Sequence, residues 1–174
     1  MRFEAASLDT SSRILTPLTV LIALFLLVFP TFVGGSGDLP ERVTQALGLV
    51  ILLISLAAWG AIPKAFEVGE EGLLLETPLG GSRLAWDGIV SARTIERREL
   101  PLIRVMGSGG VFGHWGLFRA AGQIVMVRAT RRHPAVLIER QSGRPLLVSP
   151  KDAEGLAAAI TAKAGRASSV EVPA

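Results

Sequence analysis

Two stretches near the start of the chain are apolar on every face, and the pattern after them is different in kind. Residues 14–33 (ILTPLTVLIALFLLVFPTFV) and 43–62 (VTQALGLVILLISLAAWGAI) contain no Asp, Glu, Lys or Arg. Each is roughly 20 residues long, the length an α-helix needs to cross about 30 Å of hydrocarbon. Charges at a bilayer centre are costly, so their absence fits membrane insertion. The pattern predicts a polar segment over residues 1–13, a first span over 14–33, an extracytoplasmic loop over 34–42 and a second span over 43–63. Helices buried in a soluble all-α core are the alternative for both runs, although such helices usually keep a polar stripe. A cleaved signal peptide is a further alternative for the first, with Arg2 and Arg13 before it but also Glu4 and Asp9.

From Pro63 onward the apolar runs shorten and turn residues separate them. Strand-like segments fall at 66–68, 73–77, 83–86, 89–95, 102–106, 112–118, 124–129, 135–140 and 145–148, with GEEG, PLGG, Asp87-Gly88 and Ser142-Gly143 as turns. The stretch SPKDAEGLAAAITAKAG then changes period. Ser149 is an N-cap candidate with Pro150 at the first helical position, Leu156 and Ile160 share a face, and Gly165 is a natural stop. This predicts a folded domain over 64–165 ending in a helix at 151–164, and a disordered tail over 166–174 (RASSVEVPA) without core residues. Many short antiparallel strands need their edges managed, and a curved sheet plugged by a terminal amphipathic helix does so.

Basic residues orient the hairpin. Arg2 and Arg13 precede the first span and Lys64 follows the second, whereas the connecting loop has Arg42 beside Asp38 and Glu41. The bias places both termini in the cytoplasm and the protein in the cytoplasmic (inner) membrane as a multi-pass chain. Trp59 suits an interfacial aromatic, and Gly48, Ser55 and Gly60 are small enough to let another membrane helix approach.

Three stretches carry a likeness to a known family: FEVGEEGLLLETPLGGSRLAWDGIVSAR (66–93), RVMGSGGVFGHWGLF (104–118) and ATRRHPAVLIERQSGRPLLVSPKDAEGLAAAI (129–160). Together with the hairpin they resemble the bacterial PH-like domain family, in the branch whose domain follows two membrane helices. The resemblance implies an α+β membrane protein: a transmembrane helical hairpin, then a nearly closed PH-like antiparallel β-barrel or sandwich capped by the C-terminal helix. It also implies that Trp86 and Ile89 are core contacts.

Composition limits the chemistry. There is no Cys, which removes disulfides, thiolate metal sites and a cysteine nucleophile. His114 and His133 are the only histidines, too few for an ordinary zinc site. The Gly-rich run 107–116 lacks the Lys-Ser/Thr ending of a P-loop, and its aromatics point to strand or turn structure. No carboxylate pair or Ser-His-Asp pattern stands out, so no catalytic, cofactor-binding or metal residue is assigned and no small-molecule substrate is evident. The acidic pair Glu70-Glu71 sits in a turn, as a solvated feature. A net charge of +3 and the lack of a stacking-aromatic motif argue against nucleic acid. Arg128, Arg131, Arg132, Arg140, Arg144 and Lys151 form a basic cluster, either a solvated face or a surface for an anion or a partner. The first hairpin holds only Arg83, so inositol-lipid recognition is not carried over from eukaryotic PH domains.

These features predict a non-catalytic, membrane-tethered interaction or regulatory module. Its partners would be the bilayer and another protein or a second copy, with strand addition at a sheet edge as one mode. The alternatives are a module that binds anionic phospholipid through the Arg cluster, and an enzyme uniting His114 with Asp87 or Glu96.

Overall fold

The computed structural model describes residues 1–33, 39–99, 103–120 and 122–170. The chain starts with a short strand, β1 (Arg2–Glu4), and enters helix α1 (Thr10–Val28), which a further turn, α2 (Pro30–Val33), extends. Helix α3 (Leu39–Ala61) returns antiparallel to α1 and leads directly into the β domain. The two long helices meet through small residues. Ala23 on α1 is buried, as are Gly48, Ser55, Ala58 and Gly60 on α3. A Cβ on Gly48 would lie 2.7 Å from the Ala23 carbonyl oxygen and 2.8 Å from the Leu27 nitrogen, so only glycine permits this approach. Gly60 faces Leu79 of the domain. The small residues expected to receive a foreign helix are thus taken up inside the chain. The larger side chains point outward: Leu21, Phe25, Leu53 and Ile54 are all more than half exposed.

The domain contains nine strands among the described residues after α3: β2 (Ala65–Val68), β3 (Gly72–Thr77), β4 (Gly80–Ala85), β5 (Ile89–Ile95), β6 (Ile103–Gly109), β7 (His114–Ala120), β8 (Gln123–Ala129), β9 (Ala135–Arg140) and β10 (Leu146–Val148). They form two sheets, ordered β1-β2-β3-β4 and β5-β9-β10-β8-β7-β6. The expected nearly closed antiparallel barrel is therefore corrected in two respects. The ladder breaks between β4 and β5, where a 3-10 turn at Trp86–Gly88 carries the chain from one sheet to the other with Trp86 in the core. One pairing is also parallel, because β10 inserts between β9 and β8 and runs alongside β8.

Alternation along the central strands explains the core. On β9, Val136 and Ile138 join a cluster with Phe66, Leu73, Leu75 and Trp86, packed between the sheets and the last helix. Their neighbours Ala135 and Leu137 face a second cluster with Phe118, Val125 and Val127. Successive side chains on a strand point to opposite faces, and this sheet buries both, so its central strands read as unbroken apolar runs. Trp86 and Ile89 are core residues, as the resemblance implied.

Helix α4 (Ala153–Val170) lays Ala153, Leu156, Ala157, Ile160 and Ala164 on the first cluster, the spacing of one helical face. Its cap is Asp152, whose carboxylate accepts from Gly155 N at 2.8 Å. Ser149, the expected cap, is buried and bonds Thr130 instead. The helix also runs past Gly165, so residues 166–170 continue it rather than opening the tail.

Two substitutions test this packing in the detergent-solubilised protein. Gly48→Ala forces a side chain onto the α1 backbone and is expected to cost about 1–3 kcal/mol. Gly165→Ala, exposed in mid-helix with open space around it, is expected to stabilise by about 0.5–1 kcal/mol through helix propensity. Thermal unfolding checks both signs.

Candidate functional site

The end of the domain that meets the hairpin is built largely by the first sixteen residues. β1 pairs antiparallel with β2, and Met1 N donates to Val68 O at 2.8 Å. Ala5 N donates to Lys64 O and Ala6 N to Ser149 O, each at 2.9 Å. The Thr130 hydroxyl donates to Ala6 O at 2.6 Å. The segment therefore covers the edge of β2 that would otherwise stand open.

Asp9 is the N-cap of α1. One carboxylate oxygen accepts from Ser12 N at 2.8 Å and the Ser11 hydroxyl at 3.1 Å. The other lies 3.1 Å from Nε2 of His114, an imidazole buried to 1% exposure at the start of β7. Burial pushes the Asp9 carboxyl up, but hydrogen bonds from Ser12, His114 and Ser11 outweigh it and hold the pKa at about 2. About two turns further on, Thr16 Oγ1 accepts from Phe112 N at 2.8 Å. Phe112 has a left-handed φ of 56°, flanked by Gly110 and Gly113 with positive φ. That turn lets the β6–β7 connection lie against α1. The Gly-rich segment is thus a hairpin, in line with its aromatic pattern.

The enzyme alternative required His114 beside Asp87 or Glu96. The carboxylate at His114 is Asp9, and the imidazole is enclosed. Among the described residues no group of three or more His, Cys, Asp or Glu is placed to hold a metal.

The basic cluster read along the chain is distributed in space. Arg128 donates to Ser82 Oγ at 2.9 Å and ties β8 to β4. Arg140 Nε donates to Arg144 O at 2.7 Å at the β9–β10 turn. Lys151 pairs with Glu4. Arg131 and Arg132 lie at the other end of β9, in the β8–β9 loop, where they line a polar cleft of about 720 Å³ with Asp9, Arg13, Arg97 and His133. Arg13 and Arg97 were not among the site candidates. Arg13 lies just before the first apolar run and Arg97 follows β5 in a charged loop, so sequence proximity does not group them with Arg131 and Arg132. Glu70 and Glu71 reach Lys163 and Arg83 respectively.

The other exposed feature is β6, an edge of the six-stranded sheet. Ile103, Val105 and Met106 are 55–65% exposed on it. The register slips between Arg104 and Met106, and such a bulge interrupts the row of edge donors that an added strand would use.

The bacterial PH domain family matches the chain over residues 64–164. The chain belongs to the bacterial PH domain family. Bacterial PH domains are lipid or protein interaction modules. The matched region runs from just before β2 into α4, so β1 and the hairpin lie outside it while β1 pairs with β2 inside it. No curated protein and no solved structure matches the chain.

Replacing Asp9 tests its role in holding the PH domain to α1. Asp9→Ala is expected to cost about 1 kcal/mol for the lost cap and about 1–3 kcal/mol for the unpartnered buried imidazole. The Asp9 pKa falls from 3.8 in the unfolded chain to about 2 in the folded one. Its stabilisation is therefore whole above pH 3.8 and is lost as pH falls towards 2. Unfolding of wild type and Asp9→Asn compared at pH 6 and pH 2.5 is expected to show their difference shrinking at the lower pH.

Proposed function

We propose that this protein is a non-catalytic interaction module, tethered in the cytoplasmic membrane by its helical hairpin with both termini in the cytoplasm. The observation that carries this is the pairing of β1 with β2 across the hairpin. A strand before the first long helix and a strand after the second share one sheet, so both helix ends open on the same side.

Two further facts support tethering. Both helices have 23-residue apolar stretches, with 6% and 17% of their most apolar windows buried. Core helices of a soluble protein would be mostly covered. The basic residues Arg13 and Lys64 flank the hairpin on the domain side, the distribution expected for a cytoplasmic face. The exposed side chains of β6 offer a protein partner or a second copy an apolar contact through side chains more readily than through an added strand. The arginine cleft favours a second role at the lipid surface.

Because the chain has no Cys, single-cysteine labelling tests the topology directly. In intact cells made permeable only at the outer envelope, an impermeant maleimide is expected to label Leu39→Cys, at the hairpin turn. It is expected to reach Ser142→Cys, at the β9–β10 turn, only after the inner membrane is opened. Labelling of Ser142→Cys in unopened cells, or release of the protein by alkaline carbonate, rejects the proposal.

A further inference from the structure

We infer that the cleft between α1 and the β8–β9 loop binds the phosphate of an anionic phospholipid from the same bilayer. This rests on the tethered orientation above and adds the ligand and the residues that hold it. Three separate segments bring arginines to the lining of one cavity: Arg13 from α1, Arg97 from the turn after β5, and Arg131 with Arg132 from the β8–β9 loop. Among the described residues, none of the four pairs with a carboxylate.

The nearby acids are engaged elsewhere. Glu96 meets Arg98 at 2.7 Å and Glu99 meets Arg93 at 2.9 Å. Asp9, the acid lining the cleft, spends its oxygens on Ser11, Ser12 and His114. Arg131 Nε is buried with no hydrogen-bond partner. An array of unpaired, planar, permanently charged donors suits a phosphate, which accepts such forks in pairs. The cleft volume lies within the range of small-molecule sites, about 300–1,000 Å³.

Position selects lipid over free phosphate. Arg13 is the last charged residue before the apolar run that begins at Ile14, so the cleft opens where the helix would meet the headgroups. Leu24 lies about three turns beyond Arg13 on the same face of α1. It lines an outward apolar groove of about 620 Å³ with Leu21, Phe25 and Val28. A headgroup in the cleft can therefore continue into acyl chains along the helix.

The test uses the full-length protein in nanodiscs of mixed phosphatidylglycerol and phosphatidylcholine, with retained lipids counted by native mass spectrometry after detergent release. Wild type is expected to retain phosphatidylglycerol about tenfold over its share of the mixture. Arg131→Gln with Arg132→Gln should bring retention close to that share. Arg140→Gln with Arg144→Gln, an equal loss of charge at the other end of β9, should leave it unchanged. If the first pair does not fold, Arg97→Gln, at an exposed position, replaces it and should lower the enrichment severalfold. Equal loss in both pairs, or no enrichment in wild type, overturns the lipid site. Displacement of the retained lipid by millimolar glycerol phosphate reassigns the cleft to soluble phosphate and also overturns it. Failure to enter the nanodisc rejects the tethered orientation, whereas entry without enrichment rejects the lipid site alone.

Discussion

The fold turns on the hydrogen bonding of residues 1–9 to a domain that begins more than fifty residues later. Met1, Ala5 and Ala6 donate to Val68, Lys64 and Ser149, and Asp9 joins the first turn of α1 to His114. Each bond is worth little net in an aqueous setting, about 0.5–1.5 kcal/mol. Their value lies in geometry. The chain enters the hairpin from one strand of a sheet and returns to the neighbouring strand, so helices and domain cannot turn freely about a linker. Asp9 is the least replaceable member, because it meets two needs at once: the open amides at the start of a long helix and the polar atom of an enclosed imidazole.

This constraint shapes everything at the meeting point of hairpin and domain. Gly60 gives way to Leu79, Thr16 receives the β6–β7 turn, and Arg13 is held beside the loop that carries Arg131 and Arg132. A PH domain on a flexible stalk would sample the membrane surface in many orientations. Here the hairpin is fixed to one rim of the domain, and the cleft is on that rim. Fixing the orientation in advance removes a large part of the entropy that ordinarily opposes weak surface binding.

Inside the domain, two sheets rather than a closed barrel result from two local events. Trp86 turns into the core and ends the first ladder. The three-residue β10 then slots between β8 and β9, because Leu146 and Val148 are needed on one face and Leu147 on the other. That demand for apolar side chains on both faces keeps so short a strand in place.

The two long helices were legible in the sequence because a long apolar helix is declared by local composition: length, uniform apolarity and missing charge act over contiguous residues. Most strands and the terminal helix were legible for the same reason, through periods of two and 3.6. The polar contacts were not. RFE carries no strand pattern, and its partners, Glu67, Phe66 and Ala65, lie on the far side of both long helices. Ser149 before a proline has the local signature of a cap, yet a backbone nitrogen of the β8–β9 loop claims its hydroxyl and Asp152 caps the helix. The six basic residues grouped along the chain separate in space, while Arg13, Arg97, Arg131 and Arg132 come together from positions that nothing in the sequence connects. Apolar patterning is a property of segments and can be read from them. A site made of charges and single hydrogen bonds depends on which segments meet, and only tertiary structure decides that.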